Sequence, residues 1–133
     1  MGSVNDLRVV SGQVATVETN DNTKIVSLTD GATVNWDVAQ GANAVLMMDH
    51  NLPSRTIALP YNIVSGQKYS LTLIQDKVGG AAVTFGTGVT AVGAVNSVPI
   101  YKTTIIFVCQ GSAPNLTLSS ITTSYSVDQN QVA

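Results

Sequence analysis

The sequence predicts an all-β fold: an antiparallel β-sandwich, jelly-roll-like, of about eight or nine strands, with a short N-terminal arm. Three observations lead there. Val, Ile and Thr, whose branched side chains favour pleated and half-buried surfaces, make up roughly a third of the chain. Apolar and polar residues alternate with a period of two in one run after another. Turns rich in Gly, Pro, Asn and Asp separate those runs at short intervals.

The clearest alternation is Ala32-Thr33-Val34-Asn35-Trp36-Asp37, with Ala32, Val34 and Trp36 on one face. The Asp30-Gly31 pair before it suits a tight hairpin with φ > 0, fed by a strand over Lys24–Leu28. Asp37 to Met48 competes as a helix capped by Asp37, but Gly41 and Asn43 weaken it, so a loop and then a strand at Ala44–Met48 are expected. Lys68–Gln75 places Tyr69, Leu71 and Leu73 on one side and Ser70 and Thr72 on the other. Thr104–Cys109 is apolar on both faces and reads as a central or doubly covered strand. Asn115–Leu118 and Ile121–Val127 alternate again, and shorter strands are expected at Val14–Glu18, Arg55–Leu59 and Ala82–Phe85. The domain reading is an arm or first strand over 1–23, a sandwich over 24–127 and a loose tail over 128–133.

The 133 residues fit one domain, long enough to hold a core without metals or disulfides. Charged residues are 11%, against about 25% in a typical globular domain. With a net charge of -2 there is no basic patch for nucleic acid. A β-rich surface with few charges has little to guard its strand edges, and burying them in a permanent assembly is the economical solution; a monomer covered by neutral polar residues is the bland alternative. Cys109 is the single cysteine, which excludes an internal disulfide and fits synthesis in a reducing cytoplasm. The start, MGSVNDLRVV, lacks the pattern of a secretory signal, and no apolar run approaches the ~18 residues of a membrane span.

Few residues offer chemistry. Gly79-Gly80 is followed by Ala81-Ala82-Val83-Thr84-Phe85, a strand-like run rather than the Lys-Ser/Thr and helix of a phosphate loop, so a hairpin is expected. His50 is the one histidine, and Asp49 beside it on a strand would point the other way; no HxxH or CxxC spacing adds metal ligands. Cys109 lies in the most apolar run and reads as a small buried hydrophobe. Most of the eight carboxylates sit in turns, where Asp is a turn former. Trp36 shares a face with Val34 and is expected in the core, and Met47-Met48 reads as packing. Tyr61 and Tyr101 remain as candidates for stacking on a sugar. No catalytic residue, cofactor or metal is expected. Leu7, Val9, Val10 and Val14 of the arm are the candidate assembly residues.

Several segments together carry a resemblance. Asp30-Gly31-Ala32-Thr33-Val34-Asn35-Trp36-Asp37 is similar to the DGATVTWD-type start of a domain found in tailed-phage virion structural proteins. Arg55-Thr56-Ile57-Ala58-Leu59-Pro60 resembles its NRTLANP region, with Ser54 in place of the asparagine. Gly66–Asp76 resembles its GQTYTLIVKQD strand, and Gly79–Gly86 its GGRTLTWG hairpin, with Phe85 in place of the tryptophan. Val95-Asn96-Ser97-Val98 and Ile105–Val108 fall where that family has ANAVDIFSFVYDG, while its aromatic final strand is replaced by Asn115-Leu116-Thr117-Leu118.

The resemblance implies a non-enzymatic β-sandwich from a tail fibre, head fibre or capsid decoration protein, commonly a homotrimer. Lacking a fibrous stalk, the chain is expected to be a capsid decoration (cement) protein that stabilises the head, located on the virion and partnered by copies of itself and by the major capsid protein. The alternative is a tail- or head-fibre domain that binds a host surface glycan through Tyr61 or Tyr101. An enzyme such as a polysaccharide depolymerase is disfavoured by the shortage of paired carboxylates.

Overall fold

Nine strands and one short 3-10 turn form the protein as described by a computed structural model, which covers residues 23–132. They are β1 (Ile25–Ser27), β2 (Thr33–Val34), β3 (Asn43–Met48), β4 (Ser54–Ile57), β5 (Lys68–Gln75), β6 (Ala82–Phe85), β7 (Val89–Thr90), β8 (Tyr101–Gln110) and β9 (Thr117–Val127). The all-β class is as expected. Leu7, Val9, Val10 and Val14, and the strand expected at Val14–Glu18, lie outside the described residues.

The strands form a six-stranded sheet of order β1-β3-β5-β8-β9-β7 and a three-stranded sheet of order β2-β4-β6. The expected antiparallel pairing holds only for β5–β8 and β8–β9; the pairs β1–β3, β3–β5, β2–β4, β4–β6 and β7–β9 are parallel. The six-stranded sheet is therefore mixed, and the three-stranded sheet is wholly parallel. The reason lies in the turns. Asp30-Gly31 and Gly79-Gly80 do not close hairpins: β1 and β2, like β5 and β6, lie in different sheets. Each turn is a corner that carries the chain across the core, and each return in the same direction makes neighbouring strands parallel. The first six strands thus wind as a coil between two sheets, in a solenoid-like manner. Gly31 does not take a positive φ, whereas Gly79 (φ 75°) and Gly80 (φ 82°) do. At Gly79 a Cβ would also meet the backbone of Ser97 and Pro99 at 2.8 Å, so glycine is required there twice over.

Alternation decides what each strand buries. Val26, Ala44, Leu71 and Ile105 sit side by side across β1, β3, β5 and β8, and all but Val26 are fully buried. Val34, Ile57 and Phe85 form the matching row of the small sheet. The two inner faces share one core, crossed by the edge contact of Phe85 with Phe107 (centroids 6.2 Å apart). Trp36 is buried as its alternation predicts, with its indole N–H donating to the Gly41 carbonyl (2.9 Å) and its ring edge-on to Tyr69. Cys109 is buried, and that burial pushes its thiol up. Of the methionine pair, Met48 packs in the core and Met47 is half exposed. Asn115–Leu118 and Ile121–Val127 are one strand, β9, interrupted by a bulge opposite Ile106/Phe107. β8 is central, as expected, but Ile106 and Val108 on its outer side are only half buried.

Residues 128–132, expected as part of a loose tail, are tied down. Asp128 is buried and caps the turn Gln129–Gln131, and Gln131 donates to the Gln75 carbonyl (2.9 Å). β7 had no expectation: two residues carry too short a pattern to read.

Candidate functional site

Two places gather polar side chains. The first is the end of β3 and β5. Their parallel register sets Met48 beside Gln75, so the residues that follow, Asp49-His50 and Asp76, emerge together. Carboxylate oxygens of Asp49 and Asp76 and a ring nitrogen of His50 all lie within 4.8 Å of one another. Sequence spacing, which considered Asp49 and His50 alone on a strand, misses this cluster because both lie in a turn and the third member arrives from another strand.

Asp76 accepts four hydrogen bonds. Its Oδ2 takes the backbone N–H (2.8 Å) and Nδ1 (2.7 Å) of His50; its Oδ1 takes the N–H groups of Val78 (3.0 Å) and Gly79 (2.9 Å). That is the capacity of a carboxylate. Burial opposes the charge, but the N–H groups of His50 and Gly79, the His50 ring and the Val78 N–H together hold the carboxyl well below the usual carboxylate range. A metal here would have to displace bonds already made, so the arrangement is chemically a turn lock. Beside it the buried Gln75 side chain accepts from the Ala81 N–H (3.0 Å) and donates to the carbonyls of Ala81 (2.9 Å) and Asn96 (3.0 Å). Gln75 and Asp76 thus grip the Gly79-Gly80 corner from both sides.

Asp76→Asn is expected to destabilise the protein at neutral pH by about 1.5–3 kcal/mol, the worth of charge-assisted bonds. A folded-state pKa below the unfolded value means the stabilisation is complete above about pH 4 and fades as pH falls further. Urea unfolding should therefore show the gap between wild type and variant narrowing below that pH; a constant gap would refute the lock.

The second place is a polar groove of about 480 Å³ between β1 and β2, lined by Ser27, Thr29, Thr33, Asn35, Asp37, Gln40 and Tyr61 above an apolar floor of Val26 and Leu28, with Asp30 at its edge. β1 and β2 are the outer strands of the two sheets, so the groove is the open end of the coil. Tyr61 is 59% exposed, and its backbone is fixed on both sides: its N–H donates to the Trp36 carbonyl (2.8 Å) and its carbonyl accepts from Val38 (3.2 Å). Asp37 Oδ1 accepts from the Ala39 N–H (3.0 Å) and the Asn62 side chain (2.8 Å), doing for a turn what it was considered to do for a helix. Tyr101, the other candidate tyrosine, starts β8 on the inner face with Thr103 and Ile105, is half buried, and does not line this groove.

The residue that ties the windings together is one the sequence reading passed over. Arg55 is fully buried on β4, on the same inner face as Ile57. Its Nε and Nη2 donate to the two oxygens of Asp30 (2.9 and 2.8 Å), and it also donates to the carbonyls of Asp49 (3.0 Å) and Ala82 (3.2 Å). Burial works against the Asp30 charge, but Arg55 and the N–H groups of Asp49 and Gly31 bring the carboxyl below its ordinary value. The available signal was an arginine alternating with an apolar residue on a strand, which demands a buried partner.

No family model, curated protein or solved structure matches this chain.

Proposed function

We propose that this chain is a non-enzymatic structural protein of a tailed-phage virion, and within that class a capsid decoration (cement) protein that stabilises the head. The reading takes the two-sheet domain as a variant of the β-sandwich that the resemblance implies, with the coil-like crossings as its own departure. The observation that carries it is the outer face of the six-stranded sheet. Cross-strand rows there read Ile25–Asn43–Ser70–Ile106–Thr122, Ser27–Val45–Thr72–Thr104–Ser124 and Met47–Ile74–Lys102–Ser126. Lys102 in those rows and Lys68 in the adjoining row Lys68–Val108–Ser119 are the charges on this face, where a solvated surface carries about 25–35% charged residues. A shallow concavity of about 330 Å³ around Asn43, Lys68, Ser70 and Ile106 gives a partner relief to fit.

The low charge of the sequence predicts buried strand edges. The described edge strands are short, with three residues in β1, two each in β2 and β7 and four in β6, and short edges already discourage stray pairing, while β9 beyond Ser119 has no strand on its far side among the described residues. The broad, charge-poor face is the larger surface that asks for cover. In this proposal it packs against copies of the chain in a homotrimer and against the major capsid protein, with no nucleic acid or membrane involved. Binding the assembled shell and not its free subunits would stabilise the shell by mass action.

Thr104 sits at the centre of this face, with its hydroxyl 3.1 Å from that of Thr72. Thr104→Arg places a charge in the contact, which costs several kcal/mol when desolvated. The expected result is at least a tenfold loss of co-sedimentation with empty heads and a fall in native mass, with the far-ultraviolet circular dichroism spectrum of the folded chain retained. A wild-type chain that stays monomeric at micromolar concentration and ignores heads would overturn the proposal.

A second reading, a tail- or head-fibre domain that binds a host glycan, is favoured by one observation: the polar groove presents the exposed ring of Tyr61.

A further inference from the structure

We propose that the groove between β1 and β2 binds a neutral pyranoside, its ring face on Tyr61 and its hydroxyls held by Asp37, Asn35 and Gln40. As to a natural ligand, the inference rests on the fibre-domain reading; its chemistry stands on the groove alone.

The volume of about 480 Å³ lies within the ~300–1,000 Å³ of small-molecule sites. A sugar offers hydroxyls around its rim and a patch of C–H groups on one ring face, and needs an aromatic plane next to hydrogen-bonding groups. Tyr61 supplies the plane. Its backbone is pinned between Trp36 and Val38, so little order is lost when a ligand stacks on it. The hydrogen-bonding groups are in reserve: among the described residues the side-chain amides of Asn35 and Gln40 are unengaged, and the two bonds to Asp37 both fall on Oδ1, leaving Oδ2 as an acceptor.

Charge narrows the ligand further. Among the described residues no Lys, Arg or His lines the groove, so none of them neutralises a phosphate, sulfate or uronate. The carboxylate of Asp30, at the edge, is already paired with Arg55 and is not open to a cationic ligand. Asp37 remains, and a lone carboxylate accepting from hydroxyls is strong enough to orient a neutral sugar.

The test is an NMR titration of the full chain with neutral trisaccharides built from glucose, galactose or N-acetylglucosamine. At least one is expected to bind with Kd of about 1 mM and to shift the resonances of Tyr61, Asn35 and Gln40. Tyr61→Ala should weaken binding at least tenfold, Tyr61→Phe should retain it because the ring and not the hydroxyl stacks, and Asn35→Ala should weaken it severalfold. None of these exposed positions should change the melting curve. The absence of any shift in the groove at about 10 mM sugar, or unchanged binding by Tyr61→Ala, would overturn the inference. Binding of intact host cells is a separate measurement. Sugar binding without cell binding keeps the groove assignment and removes the fibre-domain reading.

Discussion

Arg55→Ala is expected to destabilise the protein by about 3–5 kcal/mol, the cost of removing one partner of a buried ion pair. Against a total of about 5–15 kcal/mol for a domain of this kind, that is a large fraction. The guanidinium holds the loop between β1 and β2 through Asp30, the turn after β3 through the Asp49 carbonyl, and β6 through the Ala82 carbonyl. Its removal strands the Asp30 carboxylate, whose side chain is only 15% exposed, and leaves two carbonyls short of a donor. Arg55→Lys keeps the charge but not the two-pronged geometry, and should lose less. The single tryptophan, Trp36, is fully buried in the shared core, so its fluorescence during urea unfolding reports the loss. Arg55→Ala with a wild-type midpoint would show that the three windings do not depend on this residue. A double-mutant cycle with Asp30→Ala should yield a coupling well above the ~0.2–1 kcal/mol of exposed pairs.

Trp36→Ala is the second large effect, expected at about 3–5 kcal/mol. The indole is fully buried, packs edge-on against Tyr69 at 6.3 Å, and ties the loop before β3 through Gly41. Alanine would leave a cavity beneath the groove and an unsatisfied Gly41 carbonyl. Trp36→Phe should recover part of the packing but not the hydrogen bond. Since the variants lack the fluorophore, far-ultraviolet circular dichroism is the measurement. Because the Trp36 carbonyl also accepts from Tyr61, loss of order here should spread to the groove, visible as broadened Tyr61 and Asn35 resonances.

Which parts were legible follows from the range of the forces involved. The alternation in Lys68–Gln75 reported strand and buried face correctly, because a side chain's face depends only on its parity along the strand. In Ala32–Asp37, Val34 and Trp36 are buried but only Thr33–Val34 is strand and Ala32 is exposed, and Ile121–Val127 is strand but leaves Ile121 and Tyr125 about half exposed. Trp36 could be placed in the core on the ground of parity, and Cys109 on the apolar character of its whole run. Strand partnership was not legible. Asp30-Gly31 and Gly79-Gly80 look like hairpin turns, yet both are corners between sheets, since a turn motif constrains the local bend and not what the next strand pairs with. The same limit hid Arg55–Asp30, twenty-five positions apart, and the meeting of Asp49, His50 and Asp76. Of the two candidate tyrosines only Tyr61 lines the groove, because Tyr101 falls on the inner parity of β8.

The sequence by itself determined that this is an all-β chain, poor in charge, with nearly all of its strands where alternation puts them. Those properties are written in composition and in a period of two, and each can be read within a few residues. The tertiary structure alone decided that the first six strands coil in parallel between two sheets, that an arginine lies at the heart of the coil, and that a polar groove opens at its first winding. Each of these depends on which distant segments become neighbours. That is set by how the two inner faces together exclude water from one core, and no single segment carries that information.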